Sequence, residues 1–347
     1  MAGRHRHLDP ALVVNSFFPG PLLALETSCD ETAGAVLIGS EIRSSIVASQ
    51  VDLHSKWGGV VPEAAARAHV EAILPVLEAA IEQSGLALSD VKAIAVTNRP
   101  GLVGALSVGV TAAKALAFAH SLPFIGVHHL EGHICSALAV DPDLDPPFLA
   151  LIVSGGHTEL IHVHSWGDYE VLGGTIDDAA GEAFDKGARA LGLGYPGGIA
   201  VQAAAASGNP QRYPLPRALG DQPYNFSFSG LKTAVARLAV REGSGLNVAD
   251  AAASLQEAIV DVLAAKTLAA AESQGLGTVV VAGGVSANVS LRSRVTEMGS
   301  RRGTRIIVPP LELCTDNAGM IGLAGSLRLA RGERSDLDLD VLSSAPL

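Results

Sequence analysis

His129 and His133 are the first residues here whose type and spacing suggest chemistry. Residues 128–133 read His-His-Leu-Glu-Gly-His. On a helix, side chains four apart share one face, the spacing that lets two imidazoles hold one metal ion. Two histidines leave a coordination sphere incomplete, so a carboxylate from elsewhere is wanted. Asp316, within Cys-Thr-Asp-Asn-Ala-Gly at 314–319, is the best offer. It also reads as an N-cap for the helix that follows, and the two roles are compatible. In zinc peptidases the general-base Glu directly follows the first His. Here Leu130 holds that place and Glu131 sits one residue later, about 100° further round the helix. A peptidase is therefore disfavoured.

Three glycine-rich stretches point to an anionic or nucleotide-like ligand. In Ser154-Gly155-Gly156-His157-Thr158, adjacent glycines let backbone N–H groups approach an anion closely. An ordinary hairpin turn is the alternative. Residues 173–186 interleave Asp177, Asp178, Glu182 and Asp185 with Gly and Ala, and lead to Gly197 and Gly198. Such carboxylates fit a polar cleft that takes ribose hydroxyls. Residues 282–288 leave a strand and open a helix, a nucleotide-binding context. No Gly-Lys-Ser/Thr element of a Walker motif is present. Spacing takes the reading as far as a nucleotide-shaped subsite beside a two-His, one-carboxylate metal.

The elements that must position these residues are strands mixed with long Ala-rich helices, an α/β pattern. At 347 residues, two domains are expected. Residues 23–32 can be laid over 149–158 with Leu, Ala, Leu, Ser and Thr matching. In each copy a strand enters a small polar turn and a second strand follows. A duplication of this kind predicts two related lobes, each opened by a β-hairpin facing a shared cleft. Phosphate-binding hairpins of that type open both lobes of the actin-like and sugar-kinase ATPases. Helices are expected over 63–84 (kinked at Pro75), 104–121 (apolar all round, hence buried), 249–274 and 317–329. The expected organisation is a leader at 1–21, a first lobe at 22–140 completed by the C-terminal helix 316–330, a second lobe at 148–315 and a tail at 331–347. The Asp- and Pro-rich stretch 141–147 is the hinge candidate.

Composition excludes several classes. With 48% hydrophobic residues the chain is not disordered, and no run of about 18 uninterrupted apolar residues exists to span a membrane. The apolar run at 11–14 is too short for an export signal. Cys29, Cys135 and Cys314 are odd in number and scattered, which fits a reducing, cytoplasmic compartment. A net charge of −11 argues against holding nucleic acid by bulk charge, so such contact needs a local basic patch or a helper protein.

Eight motifs, in order over about residues 22–329, resemble the tRNA N6-adenosine threonylcarbamoyltransferases, the TsaD family. They lie at 26–32, 59–63, 129–133, 154–158, 181–186, 225–232, 282–288 and 315–317. The resemblance implies an actin-like two-lobe fold and one divalent metal, iron favoured and zinc possible, on His129, His133 and Asp316. It implies a threonylcarbamoyl-AMP site at Ile152, Val153, Ser154, Gly155, Gly156, Asp185, Gly198 and Asn288. The implied reaction moves the threonylcarbamoyl group to N6 of the adenosine beside the anticodon in tRNAs reading codons that begin with A. The implied partners are a related inactive paralogue and a small ATPase. Asp30, in the first hairpin turn, is the candidate to deprotonate the amine, with turn capping as the other reading. The sequence departs from the family at Asn98-Arg99, where a small residue is usual, and at residues 199–202, which lack the expected Pro and Asp. A sialoglycoprotease-type metallopeptidase, an ATPase or sugar kinase and a non-catalytic scaffold are the other readings.

Overall fold

The computed structural model describes residues 16–218 and 222–347. The expected leader falls mostly at 1–15, outside the described residues. Of the remainder, Phe18 donates its N–H to Ser326, and Pro21 already belongs to a strand.

The first half runs β1 (Pro21–Glu26), β2 (Glu31–Ile38), β3 (Glu41–Ser49), α1 (Val51–Ser55), α2 (Pro62–Ser84), β4 (Ala93–Arg99), α3 (Val103–His120), β5 (Phe124–His128) and α4 (His129–Cys135). The second runs β6 (Phe148–Val153), β7 (Thr158–Ser165), β8 (Asp168–Gly174), α5 (Ala180–Ala190), α6 (Gly197–Ala205), α7 (Ser229–Glu242), α8 (Val248–Ser273), β9 (Thr278–Ala282), α9 (Val289–Arg302), β10 (Arg305–Ile307) and α10 (Ala318–Ala330). Two five-stranded sheets result, ordered β3-β2-β1-β4-β5 and β10-β9-β6-β7-β8. The orders are equivalent when the second is read backwards. The hairpins share one register as well. Leu22 pairs with Leu37 and Glu26 with Ala33; 126 residues on, Phe148 pairs with Val163 and Ile152 with Glu159.

The central strands are apolar on both faces because both faces are covered. One face of the first sheet packs under α2 and α3 through Leu23, Leu25, Ile94 and Val96. One face of the second sheet carries Leu149, Leu151 and Val153 against the α5–α9 layer. The other faces share a core with α4 and α10, including Ala24, Ala95, Ala150 and Ile152. Each fully buried Leu or Ile there contributes about 1.5–3 kcal/mol. Helix ends follow local chemistry. Gly85 closes α2 at φ 73°, Asn247 caps α8 through Asp250 N–H, and Asn288 caps α9 through Leu291 N–H.

One expectation is corrected. Helix α3 is not buried all round: Ala105, Leu106, Val110 and Ala113 face inward while Phe118 is 76% exposed. Its 18 residues have the length and composition of a membrane span, but its inner side packs on the first sheet. Residues 331–347, the expected tail, fold back onto the first sheet. Ser335 bridges to Phe124, Leu342 N–H reaches Asn98 O, and residues 343–347 enter the cleft between the sheets.

Candidate active site and metal centre

β5 ends at His128, and the chain turns at once into α4, whose first residue is His129. The His128 ring caps that helix by accepting from Leu130 N–H at 3.2 Å. One turn on, His133 presents its ring to the same side, 4.8 Å from His129 and nearly perpendicular. Asp316 arrives from just ahead of α10. The expected capping role falls instead to Asn317, whose Oδ1 accepts from Met320 N–H at 2.9 Å. Asp316 is thereby released to face the histidines, with Oδ1 3.4 Å from His129 Nε2 and 3.2 Å from His133 Nε2.

These three residues fit a metal ion. Their candidate ligand atoms lie within 4.8 Å of one another. His133 is fully buried, and the polar group facing its Nε2 is the Asp316 carboxylate, so a cation between the two would be bound by both. Behind His129, Glu26 holds the other ring nitrogen, Nδ1, at 3.0 Å, and Ser28 Oγ lies 3.1 Å from it. Glu26 is itself fixed by Thr97 Oγ1 at 2.6 Å. A carboxylate on the back nitrogen orients the ring and makes it a stronger ligand. Burial opposes charge on His129, but the Asp316 and Glu26 carboxylates outweigh it and raise its pKa well above the ordinary range. His133, buried and beside His129, is depressed. Burial alone would raise Asp316; the two histidines more than offset it and hold the carboxyl below the usual range.

The cluster lies against a cavity of about 670 Å³ lined by Ser28, Cys29, Asp30, His129, the 154–157 turn and Asp316. A second compartment of about 460 Å³ adjoins it, lined by Asp185, Tyr195, Gly198, Gln202 and Asn288. Asp30, Glu31, Gly155, Gly284 and Thr315 border both. The wall between sheet and helix is built by close approach. A Cβ on Gly181 would stand 2.6 Å from Ser154 O, so α5 can start against the turn only with glycine there. Gly283, at φ 94°, presses equally closely on Val153 O.

Placement of the sequence-derived residues divides three ways. His129, His133 and Asp316 converge, and Asp30, Ser154, Gly155 and Gly156 line the first compartment. Asp185, Gly198 and Asn288 line the second. Asp185 Oδ1 accepts from Gly197 N–H at 2.7 Å, and the Asn288 amide is engaged by Leu291 N–H and Gln256. Ile152 and Val153 send their side chains into the cores, leaving only backbone for a ligand. Glu131 turns away from the cleft to Tyr169 Oη at 3.1 Å and Arg328 at 3.4 Å, so it does not stand as a peptidase base beside the histidines. Arg99 bonds Asn98 Oδ1 at 2.9 Å in a separate pocket with Arg328. Gln202 accepts from Val289 N–H at 2.8 Å.

Sequence reasoning missed Glu26, Glu31 and the returning tail. Glu26 had a signal: it is a charge inside an apolar strand, where the repeat copy has Ile152. Glu31 is pushed up to about 9 by burial and by its neighbours Asp316 and Asp30.

The duplicated sheets and the cleft between them define the actin-like ATPase and sugar-kinase fold class. Among solved structures, full-length HypF matches at TM-score 0.60 and 14% identity over 91% of this chain, which spans about half (47%) of that protein. A ROK family glucokinase from Streptomyces griseus matches at TM-score 0.50 and 14% identity, covering 90% of this chain and 100% of that one. At sequence level, the profile described as TsaD, tRNA N6-adenosine threonylcarbamoyltransferase, matches residues 41–323. Proteins of that name from Synechococcus sp. and Thermosynechococcus vestitus are 54% and 52% identical, each over 94% of this chain and over 92% and 95% of their own lengths. The chain belongs to this family of tRNA-modifying transferases.

Proposed function

We propose that the cleft transfers the threonylcarbamoyl group from threonylcarbamoyl-AMP to N6 of the adenosine adjacent to the anticodon, in tRNAs reading codons that begin with A. His129, His133 and Asp316 would hold one divalent ion, iron favoured and zinc possible, and its chemistry when bound is to orient the donor and polarise its carbonyl. The observation that carries the reading is the convergence of that metal triad with a second compartment bearing Asp185, Gly198 and Asn288 across a shared border.

An exocyclic adenine amine is a weak nucleophile because its lone pair is delocalised into the ring, so the donor has to be a mixed anhydride with a good leaving group. In this reading the 460 Å³ compartment takes the adenosine half, with Asp185 toward the ribose. Backbone around Gly155 and Gly156 takes the phosphate and the developing oxyanion. Asp30, at the border of both compartments, takes the amine proton. In the metal-free protein, burial and the Asp316 and Asp30 charges push Glu31 beside it up to about 9. The partners would be a related inactive paralogue and a small ATPase, and the compartment the cytosol, where its unpaired cysteines stay reduced.

Purified protein incubated with tRNA, threonylcarbamoyl-AMP and those partners tests this, with digested nucleosides read by mass spectrometry. The expected outcome is threonylcarbamoyladenosine with wild type and at least a 100-fold lower yield with His129→Ala. Equal yields from both would refute the proposal.

A further inference from the structure

A second cluster of metal-ligating side chains lies outside the cleft, on the hairpin β7–β8. His162 and His164 are two apart on β7, so both rings stand on one face of the strand. Their centroids are 3.9 Å apart. On the edge strand β8, Glu170 is the register partner of His162, which sets its carboxylate opposite the pair. Glu170 Oε2 lies 3.0 Å from His164 Nε2, and one ligand atom from each residue falls within 4.8 Å of the others. His162 Nδ1 is shielded from solvent and has no hydrogen-bond partner. The alternate residues Ile161 and Val163 are buried in the central core, so the backbone presenting both histidines is held from behind.

We infer that His162, His164 and Glu170 form a second divalent-metal site, distinct from the cleft, that ties the edge strand β8 to β7. A His-X-His pair on a strand with a carboxylate from the neighbouring strand offers two nitrogens and one oxygen from one side. That set suits Zn²⁺, Cu²⁺ or Ni²⁺ and is poor for Mg²⁺ or Ca²⁺, which demand oxygen ligands. His164 and Glu170 are exposed, so the remaining coordination positions face solvent. Its occupancy needs no opening of the cleft. An ion there bonds two strands at once and raises the unfolding temperature by mass action.

The test is isothermal titration of ZnCl₂ into the full-length, untagged, chelator-stripped protein. Two ions per chain are expected for wild type. One is expected for His162→Ala/His164→Ala, and one for His129→Ala/His133→Ala, in which only the hairpin site survives. In that cleft-variant background, Glu170→Gln should weaken the remaining site about tenfold. Zinc should raise its melting temperature only while His162 and His164 are present. The proposal is overturned if His162→Ala/His164→Ala takes up as much zinc as wild type with the same affinities, or if the cleft variant binds none. Loss of the cleft ion alone would leave this site standing.

Discussion

At the residue scale, Glu26 is the group on which the proposed metal centre turns. It touches neither cavity, yet its carboxylate sets the tautomer and angle of His129. Replacing it with Ala should weaken divalent-ion affinity 10–100-fold, measured by equilibrium dialysis at pH 8, with a matching loss of transfer activity. The raised His129 pKa gives a pH signature. The ion must displace a proton, so affinity should fall close to tenfold for each pH unit lowered through neutrality. A flat profile would contradict the coupling of His129 to its two carboxylates. Glu31 supplies the opposite case. Its folded pKa of about 9 lies above the ordinary carboxylate value, so between those limits the folded chain binds more protons than the unfolded one. Stability therefore falls as pH rises through that window, and Glu31→Gln should remove the fall. In metal-free protein, the expected gain at pH 8 is of the order of 5 kcal/mol, about 1.4 kcal/mol for each pH unit above the ordinary carboxylate value and several degrees in Tm, falling to about 1 kcal/mol at pH 5. The division of labour between Asp316 and Asn317 was not legible in sequence, since either residue type can cap a helix. Glu26 was legible only as an anomaly, because its partner is 103 residues away.

At the element scale, the duplicated hairpin was readable. Five matched residues run from its first strand through the turn into its second, and the structure repeats its register pair for pair at a constant offset. Helix α3 shows where pattern reasoning stops. Its Ala, Gly, Leu and Val residues give little contrast between faces, so the exposed side holding Phe118 cannot be told from the buried one. The closing segment shows another limit of pattern. Its alternating Asp and Leu look solvated, yet Leu339 and Val341 pack beside the first sheet. Two outcomes belong to this scale. Gly181→Ala should push α5 from the 154–158 turn, costing about 1–3 kcal/mol by denaturant unfolding and raising the KM for the donor. Truncation after Leu342 removes residues lining the first compartment and should speed chelator extraction of the cleft ion several-fold, followed by stopped-flow with a coloured chelator.

At the scale of the molecule, two copies of one β-rich unit face each other across a shared core, and the groups proposed to react sit where their turns meet. The first lobe gives Asp30 and both histidines; the 154–157 turn, Asp185 and Asn288 come from the second. Asp316 links them, placed beside α4 by the packing of α10 on it. No single segment carries the site, which is why motif order along the chain was informative while the geometry was not. Arg189 of α5 donates to Gly58 O at 2.7 Å, a bond between the lobes at their rim. The most direct test of the account returns one divalent ion at a time to stripped enzyme and follows transfer to tRNA in single-turnover reactions. Transfer should be negligible without metal and rise to a plateau as the cleft fills, and Asp316→Ala should stay inactive throughout. Full transfer by the stripped enzyme, or by Asp316→Ala, would contradict it.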